Sequence, residues 1–196
     1  ATVVNGMNTL LMLPYDYVMV IGFGPIGYLF AQFAKNIAAK VAVTEIDPFR
    51  ISVAKECGLT VWNPHEEDVV KNIHEFTYGR KADIVIEATG NGLEQALMCV
   101  TPGGKVLPFG MDSSITATVI PNEITRWATK ILGLYLGQNT MTPSIRLFEE
   151  HRLNMGPFFT KVIPLEEGIG AFDMLGLDIK TLTHHPKSAM KIVMKP

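Results

Sequence analysis

The chain has 196 residues, of which 47% are hydrophobic and 18% are charged, and this composition excludes an intrinsically disordered protein. Its 17 Lys and Arg residues against 19 Asp and Glu residues give a formal net charge of -2, so the charge balance does not indicate a nucleic-acid partner. Two cysteines, Cys57 and Cys99, are too few for a disulfide framework or a Cys-only zinc motif.

The sequence shows neither a membrane-spanning stretch nor a signal peptide. Its longest apolar runs are far too short to cross a bilayer. The apolar-leaning run 9–13 lacks the basic flank and the small-residue cleavage site of a signal peptide. Since the few cysteines also fit a reducing compartment, we expect a cytoplasmic protein without a membrane partner.

Short apolar runs alternate with helix-length segments along most of the chain. The runs are predicted as strands 17–21, 41–44, 59–62, 82–86, 105–109 and 131–136. The segments between them are predicted as helices 25–39, 48–57, 66–76, 93–100 and 124–128. Such alternation implies parallel strands joined by right-handed crossovers, with helices on both faces. We therefore predict an α/β fold, a doubly wound parallel sheet of six strands.

The alternation stops after Gly137. Helices are predicted over 142–153 and 165–175, with extended stretches at 158–163 and 189–194. These elements are too few to build a second core, so we expect a C-terminal tail of two helices and short strands that packs on something else. The sequence thus divides into a linking helix (1–16), the core of the sheet (17–138) and this tail (139–196).

A glycine motif follows the first predicted strand and opens the first helix of the core. The motif is Gly22-Phe-Gly24-Pro-Ile-Gly27, the GxGxxG pattern of dinucleotide-binding loops. Gly22 allows a tight turn, Gly24 lets the backbone approach a pyrophosphate, and Gly27 allows close packing of helix and strand. The helix N-terminus would then present free N–H groups to the phosphates.

Acidic residues end the second predicted strand. Glu45 can accept hydrogen bonds from an adenosine ribose diol and would repel a 2′-phosphate, so NAD is favoured over NADP. Asp47 could play the same role, but we assign it as the cap of the helix that begins at Pro48. Arg50 leaves the choice of cofactor open, because an arginine there could bind a 2′-phosphate or a ribose.

Further candidates lie where later strands end, at the edge of the sheet where such folds bind ligands. Ala88, Thr89 and Gly90 are small enough for backbone to line a cofactor, whereas Glu87 can be structural or functional. Stretches 109–111 and 134–137 leave their strands at the same edge. The turn 101–104 lies at the opposite end of its strand and is interpreted as structural.

The remaining histidines and cysteines are assigned no chemistry. His184 and His185 are adjacent and lack a third partner at metal-ligand spacing, which is typical of a loop. Cys57 and Cys99 lie beside apolar residues near helix ends and are interpreted as core. We predict no catalytic residue and no metal ligand in this chain.

Four blocks of the sequence resemble the cofactor-binding half of medium-chain, zinc-dependent alcohol dehydrogenases, most of all the sorbitol (polyol) and threonine dehydrogenase branch. The blocks are 20–27, 43–50, 82–90 and 102–106, and the closing stretch 191–196 fits the same family. The resemblance implies a Rossmann fold that binds NAD. It also implies a parent protein that transfers a hydride between a small-molecule alcohol or polyol and the nicotinamide.

The resemblance also implies which residues contact the cofactor. Gly22, Gly24, Pro25 and Ile26 would line the pyrophosphate and nicotinamide side, close to Gly27. Glu45 and Arg50 would hold the adenosine ribose. Ala88, Thr89 and Gly90 would border the adenine-ribose and nicotinamide region, and Gly110, Leu136 and Gly137 would border the nicotinamide amide. The strand from Lys130 to Leu136 resembles the edge strand that pairs between subunits, so a homodimer is expected.

The family's zinc ligands and substrate pocket belong to a preceding domain that this sequence does not show. Zinc is therefore implied for a longer parent protein only. We expect the chain to be a fragment, whether cut, proteolytic or natural, whose tail 139–196 would complete the catalytic domain. By itself it is expected to bind NAD(H) weakly and to catalyse no turnover.

Two other functions fit parts of the pattern. An S-adenosylmethionine-dependent methyltransferase also has a glycine-rich first loop and an acidic residue after its second strand. It does not need the third glycine, Gly27, and its usual antiparallel last strand has no obvious place here. A non-enzymatic NAD-sensing module would instead dock the segment after Asn139 on another protein.

Overall fold

Six parallel strands form the central sheet. The computed structural model describes residues 1–178, 181, 183–184 and 189–196. The strands are β1 (Tyr17–Ile21), β2 (Lys40–Thr44), β3 (Thr60–Trp62), β4 (Ala82–Glu87), β5 (Val100–Pro108) and β6 (Lys130–Ile131). Their order in the sheet is β3-β2-β1-β4-β5-β6, and all five pairings are parallel. The predicted doubly wound α/β fold is confirmed, and the order reverses between β1 and β4.

One helix precedes the first strand, helices connect the successive strands, and together they cover both faces of the sheet. They are α1 (Thr2–Leu10), α2 (Pro25–Ile37), α3 (Pro48–Glu56), α4 (Val69–Phe76), α5 (Leu93–Cys99) and α6 (Pro121–Trp127). Neighbouring strand residues point to opposite faces, so Val18 and Val20 of β1 join one buried cluster while Met19 and Ile21 join the other. Burial on both sides is why the strands read as continuous apolar runs.

The sixth strand is much shorter than predicted. Strand pairing covers only Lys130 and Ile131, whereas the apolar pattern predicted a strand over 131–136. One further backbone bond runs from Leu132 N to Val106 O at 2.8 Å, and the chain then leaves the ladder. Leu136 has a left-handed backbone with φ of 55°, which a strand cannot contain.

Two other boundaries differ from the prediction for local reasons. The turn 101–104 does not precede β5 but is looped out within it, because Ala82 pairs with Val100 and Ile84 pairs with Lys105. Helix α4 begins at Val69 rather than at residue 66, because the Asp68 side chain accepts the Lys71 N–H at 3.0 Å and caps the helix there.

The C-terminal segment forms a small layer of its own. Helix α7 (Met141–Glu149) precedes β7 (Phe159–Pro164), which pairs in parallel with β10 (Lys191–Lys195). Between β7 and β10 the chain forms a short 3-10 helix (Leu165–Glu167), helix α8 (Gly168–Met174) and an antiparallel pair of strands, β8 (Leu177–Asp178) and β9 (Thr183–His184). His185, the second histidine of the pair noted above, lies outside the described residues. In the described part of the chain, no helix is long and apolar enough to span a membrane.

A buried aromatic stack fastens this segment to the sheet domain. Phe23 of the glycine loop and Tyr28 of α2 are fully buried, with ring centroids 5.5 Å apart, and Phe158 lies 5.6 Å beyond Tyr28. The Tyr28 hydroxyl donates to the Asn154 carbonyl at 2.5 Å. Burial, reinforced by nearby Cys57, raises the pKa of the Tyr28 hydroxyl, so it remains a donor at neutral pH.

Replacing Tyr28 by phenylalanine keeps the ring and removes the hydroxyl, with its bond to the Asn154 carbonyl and its interaction with Cys57. We expect Tyr28→Phe to lower the free energy of unfolding by about 1–2 kcal/mol, because the Asn154 carbonyl loses its buried donor. Urea unfolding followed by circular dichroism measures the change. Tyr15, which is 69% exposed, provides the control Tyr15→Phe, and equal effects of the two substitutions would contradict the assigned role.

Candidate functional site

The glycine loop closes tightly between β1 and α2. Gly22 has φ of 86°, which a residue with a Cβ rarely adopts, and its N–H donates to Thr44 O at 3.0 Å. A Cβ on Gly27 would lie 1.8 Å from the Gly22 carbonyl oxygen. Gly27 is therefore required chiefly so that the loop can close on itself, and its contact with the β1 side chain Val20 is secondary.

Gly24 differs from the other two glycines because the chain leaves space beside it. If residue 24 had a Cβ, the one atom of the described chain within 4 Å of it would be Arg50 Nη1, at 3.5 Å. Its backbone is extended, and Tyr28 N donates to Gly24 O at 2.8 Å as α2 begins. Since nothing in the folded chain requires glycine at this position, the open space is a cradle that a ligand could fill.

Glu45 lies buried at the end of β2 and holds the glycine loop. Its Oε2 accepts the Phe23 N–H at 2.9 Å, and its Oε1 accepts the N–H groups of Ile46 and Asp47 at 2.8 and 3.0 Å. The side chain is only 6% exposed. A carboxylate has about four acceptor positions, so this anion can still accept a further donor from a ligand.

Arg50 lies between Glu45 and the open side of Gly24. Its Nη1 is 3.9 Å from Glu45 Oε2, and its Nε is buried without a hydrogen-bond partner among the described residues. Asp47 accepts the Arg50 N–H at 3.0 Å, so the expectation that Asp47 caps α3 is confirmed. The cap directs the first turn of α3, and with it Arg50, toward the glycine loop.

Glu87 plays the corresponding part at the end of β4. The side chain is 2% exposed, and its Oε1 accepts the N–H groups of Thr89 and Gly90 at 2.7 and 2.8 Å. The Thr89 hydroxyl donates to the same oxygen. Glu87 therefore organises the loop that follows β4, and the sequence alone could not separate this role from a functional one.

The loops after β1, β4 and β5 pack against one another at the carboxyl edge of the sheet. The Thr89 methyl group would be 2.5 Å from a Cβ on Gly22, and Ala88 N donates to Ile21 O at 2.9 Å. A Cβ on Gly110 would lie 2.0 Å from Gly90 N, so these two loops touch through backbone. The predicted site residues from Gly22 to Gly110 are thus brought together.

Leu136 and Gly137 are placed differently. They lie beside the N-terminal end of α1: Leu136 O accepts the Asn5 Nδ2 donor at 2.8 Å, and a Cβ on Gly137 would lie 2.8 Å from the Cβ of Ala1, which precedes α1, and 2.9 Å from Thr140 Oγ1. Helix α1 in turn packs on α2, where a Cβ on Gly6 would meet Phe30 at 2.7 Å. Sequence reasoning missed this role of α1, because a short apolar helix carries no motif.

Neither cysteine is available as a nucleophile. Cys57 and Cys99 are 8% and 0% exposed. Burial raises the pKa of the Cys99 thiol to about 12, so it stays protonated at neutral pH. Among the described residues, no group of three or more His, Cys, Asp or Glu side chains could hold a metal ion.

Comparisons with known proteins point to one family of enzymes. The family profile described as zinc-binding dehydrogenase matches residues 25–150. L-threonine 3-dehydrogenase from Pyrococcus horikoshii is 36% identical over 165 residues, which cover 80% of this chain and 47% of that protein. Sorbitol dehydrogenase from Ovis aries is 31% identical, covering 84% of this chain and 49% of that protein.

The solved structures extend the similarity to the whole fold. The crystal structure of 2R,3R-butanediol dehydrogenase from Bacillus subtilis superposes with a TM-score of 0.85 and 25% identity, covering 100% of this chain and 55% of that chain. The chain thus spans about half the length of the curated relatives it matches, at 47% and 49% of the two quoted above.

The buried Glu87 carboxylate gives a direct test of how the loop after β4 is held. We expect Glu87→Leu to lower the free energy of unfolding by about 2 kcal/mol, because it leaves the partly buried N–H groups of Thr89 and Gly90 without their acceptor. Denaturant unfolding measures this loss. Glu149, exposed on α7, offers the matched control Glu149→Leu, for which we expect a change within about 0.5 kcal/mol.

Proposed function

The chain belongs to the zinc-binding dehydrogenase family, and we propose that it is the part of such an enzyme that binds a nicotinamide adenine dinucleotide. The observation that carries the proposal is the open cradle at Gly24, bordered by the Glu45 carboxylate and the Arg50 guanidinium. It lies beside β1, where the strand order reverses, and ligands of such sheets bind at that crevice.

The residues of the crevice fit a dinucleotide. Its pyrophosphate would lie at Gly24 and the N-terminus of α2, where Pro25 and Ile26 begin the helix and partial positive charge favours phosphate. The buried Arg50 Nε is a donor still without an acceptor among the described residues. Ala88, Thr89, Gly90 and Gly110 would border the cofactor along the edge formed by the loops after β4 and β5.

We further propose that the cofactor is NAD rather than NADP. A ribose diol can donate to Glu45, because a carboxylate has about four acceptor positions and backbone N–H groups occupy three of those of Glu45. A 2′-phosphate in the same place would bring a second anion against a buried carboxylate. Arg50 does not reverse this preference, because its guanidinium lies 3.9 Å from the Glu45 carboxylate and a 2′-phosphate would have to compete with Glu45 for this cation.

The proposed activity of the whole protein is hydride transfer between a small alcohol or polyol and the nicotinamide. When bound, the nicotinamide accepts or supplies the hydride. The residues of this chain bind and orient the cofactor, with Leu136 and Gly137 proposed beside its amide end. The described residues hold no cluster that fits zinc, so we assign no step to a metal in this part of the protein.

Two exposed apolar surfaces suggest how the rest of the assembly is arranged. The open edge beyond β6 carries Ile131, Tyr135 and Leu136, which are 38%, 65% and 59% exposed, and we propose it as a homodimer contact. Segment 139–196 exposes Ile169 and Phe172 at 77% and 44%. We propose that this segment packs against the remainder of the whole protein.

A methyltransferase explains less of the structure. All pairings of the six-stranded sheet are parallel, so the antiparallel last strand usual in that fold is not present in the sheet. The family membership is likewise that of a dehydrogenase. An NAD-sensing module uses the same crevice, and turnover by the whole protein separates it from a dehydrogenase.

Binding of NADH tests the proposal directly. We expect the chain to bind NADH, measured by the enhancement of cofactor fluorescence, and Gly24→Ala to weaken binding by about tenfold or more. The new Cβ would have room in the free chain, so the melting temperature is expected to stay unchanged. Wild-type affinity in Gly24→Ala would contradict the cradle, and no binding by the wild-type chain would contradict the function.

Selectivity between the two dinucleotides tests the role of Glu45. We expect NADPH to bind at least about tenfold more weakly than NADH, because the 2′-phosphate is repelled by the Glu45 carboxylate. Isothermal titration with both cofactors in the same buffer measures the ratio. Equal affinities, or tighter binding of NADPH, would assign Arg50 as a 2′-phosphate ligand instead.

A further inference from the structure

A second cavity lies away from the dinucleotide crevice, and we propose that it binds an amphipathic carboxylate, an apolar chain that ends in a carboxylate group. Its volume is about 660 Å³, within the usual range for small-molecule sites. It is an open cavity lined by the turn between α4 and β4, by α5, and by α6 with the loop before it. None of its lining residues belongs to the crevice, so the inference is independent of the proposed cofactor.

The floor of the cavity is apolar and only partly covered. Leu97 and Met98 come from α5, and Ile120, Ile124 and Trp127 come from α6 and the residue before it. Met98, Ile120 and Trp127 are 52%, 59% and 43% exposed. Burying these side chains under an apolar ligand would remove a contiguous apolar surface from water, which is favourable in proportion to its area.

Charges are separated along the cavity. Arg80 and Lys81 directly precede β4 and so lie toward the amino edge of the sheet. Glu94 and Glu123 lie in the first turns of α5 and α6, which start toward the carboxyl edge because they precede parallel strands. The cavity therefore has a cationic end and an acidic end, with the apolar floor between them.

Most of these charges already have partners. Glu94 accepts the Thr118 N–H at 2.7 Å, and Glu123 accepts the Trp127 Nε1–H at 2.6 Å. Arg80 pairs with Asp83 at 3.2 Å.

The Lys81 ammonium is different, because it has no hydrogen bond or ion pair within the part of the chain described here. The Lys81 N–H donates to Thr77 Oγ1 at 2.7 Å, which holds its left-handed backbone, with φ of 71°, and Lys81 is one of the residues that line the cavity. Lys81 is thus the cation available to an incoming carboxylate.

This arrangement selects the sign of the ligand's charge. A carboxylate would gain a charge-assisted bond from Lys81 while its chain covers the apolar floor. A cation of the same length would find the two glutamates engaged by donors of the chain itself and the free lysine repelling it.

Isothermal titration of the 196-residue chain with decanoate, and with decyltrimethylammonium as the matched cation, tests the proposal. We expect decanoate to bind with a stoichiometry of one below its micelle concentration and to protect Trp127 from acrylamide quenching. The cation is expected to bind at least about tenfold more weakly. Lys81→Gln should weaken decanoate binding by about tenfold, whereas Lys71→Gln, on the exposed part of α4, should leave it unchanged.

Several results would overturn the site. Equal binding of the two probes, or unchanged decanoate affinity in Lys81→Gln, would show that the apolar surface binds the probes without recognition of the carboxylate by Lys81. Competition between decanoate and NADH would place decanoate in the crevice. If sedimentation shows that self-association alone protects Trp127, a second copy of the chain covers the cavity. Failure to bind NADH would leave this site standing, since the two sites share no residue.

Discussion

Two buried carboxylates fix the edge of the sheet where the dinucleotide crevice lies. Glu45 directly follows β2 and Glu87 ends β4, on either side of β1, and each accepts backbone N–H groups of an adjacent loop. Without these carboxylates the backbone N–H groups of both loops would lose their acceptors, which costs about 1–3 kcal/mol for each group that is buried. A carboxylate can accept several of these donors at once, so one side chain holds a whole loop in place.

With the loops held in this way, glycines allow them to approach one another. The Gly27 position leaves no room for a Cβ beside the Gly22 carbonyl, and Gly110 leaves none beside Gly90. Gly24 is the exception, because the chain itself leaves its Cβ position almost empty. The difference separates glycines that the fold requires from the one that a ligand would require.

The parallel direction of the strands explains the positions of both the dinucleotide crevice and the second cavity. Parallel strands place all their carboxyl ends at one edge, where the loops form the crevice, and return through helices that end at the other edge. The basic residues before β4 and the acidic first turns of α5 and α6 therefore lie at opposite ends of the second cavity. Meanwhile Tyr28 joins the glycine loop region to the C-terminal segment through its bond to Asn154.

The sequence by itself determined the sheet, the order of its elements and the position of the glycine loop, because burial on both faces makes each inner strand a continuous apolar run. Only the tertiary structure decided the length of the sixth strand. Because an edge strand pairs on one side only, its apolar pattern did not show where pairing with β5 stops. The tertiary structure also decided the role of Glu87. An acidic residue after an apolar run can be a ligand-binding group or an acceptor for the loop that follows. Glu87 is the acceptor because the N–H groups of Thr89 and Gly90 fold back onto it. Periodicity records which residues are buried, whereas the partners of a buried polar group depend on loops that meet across the sheet.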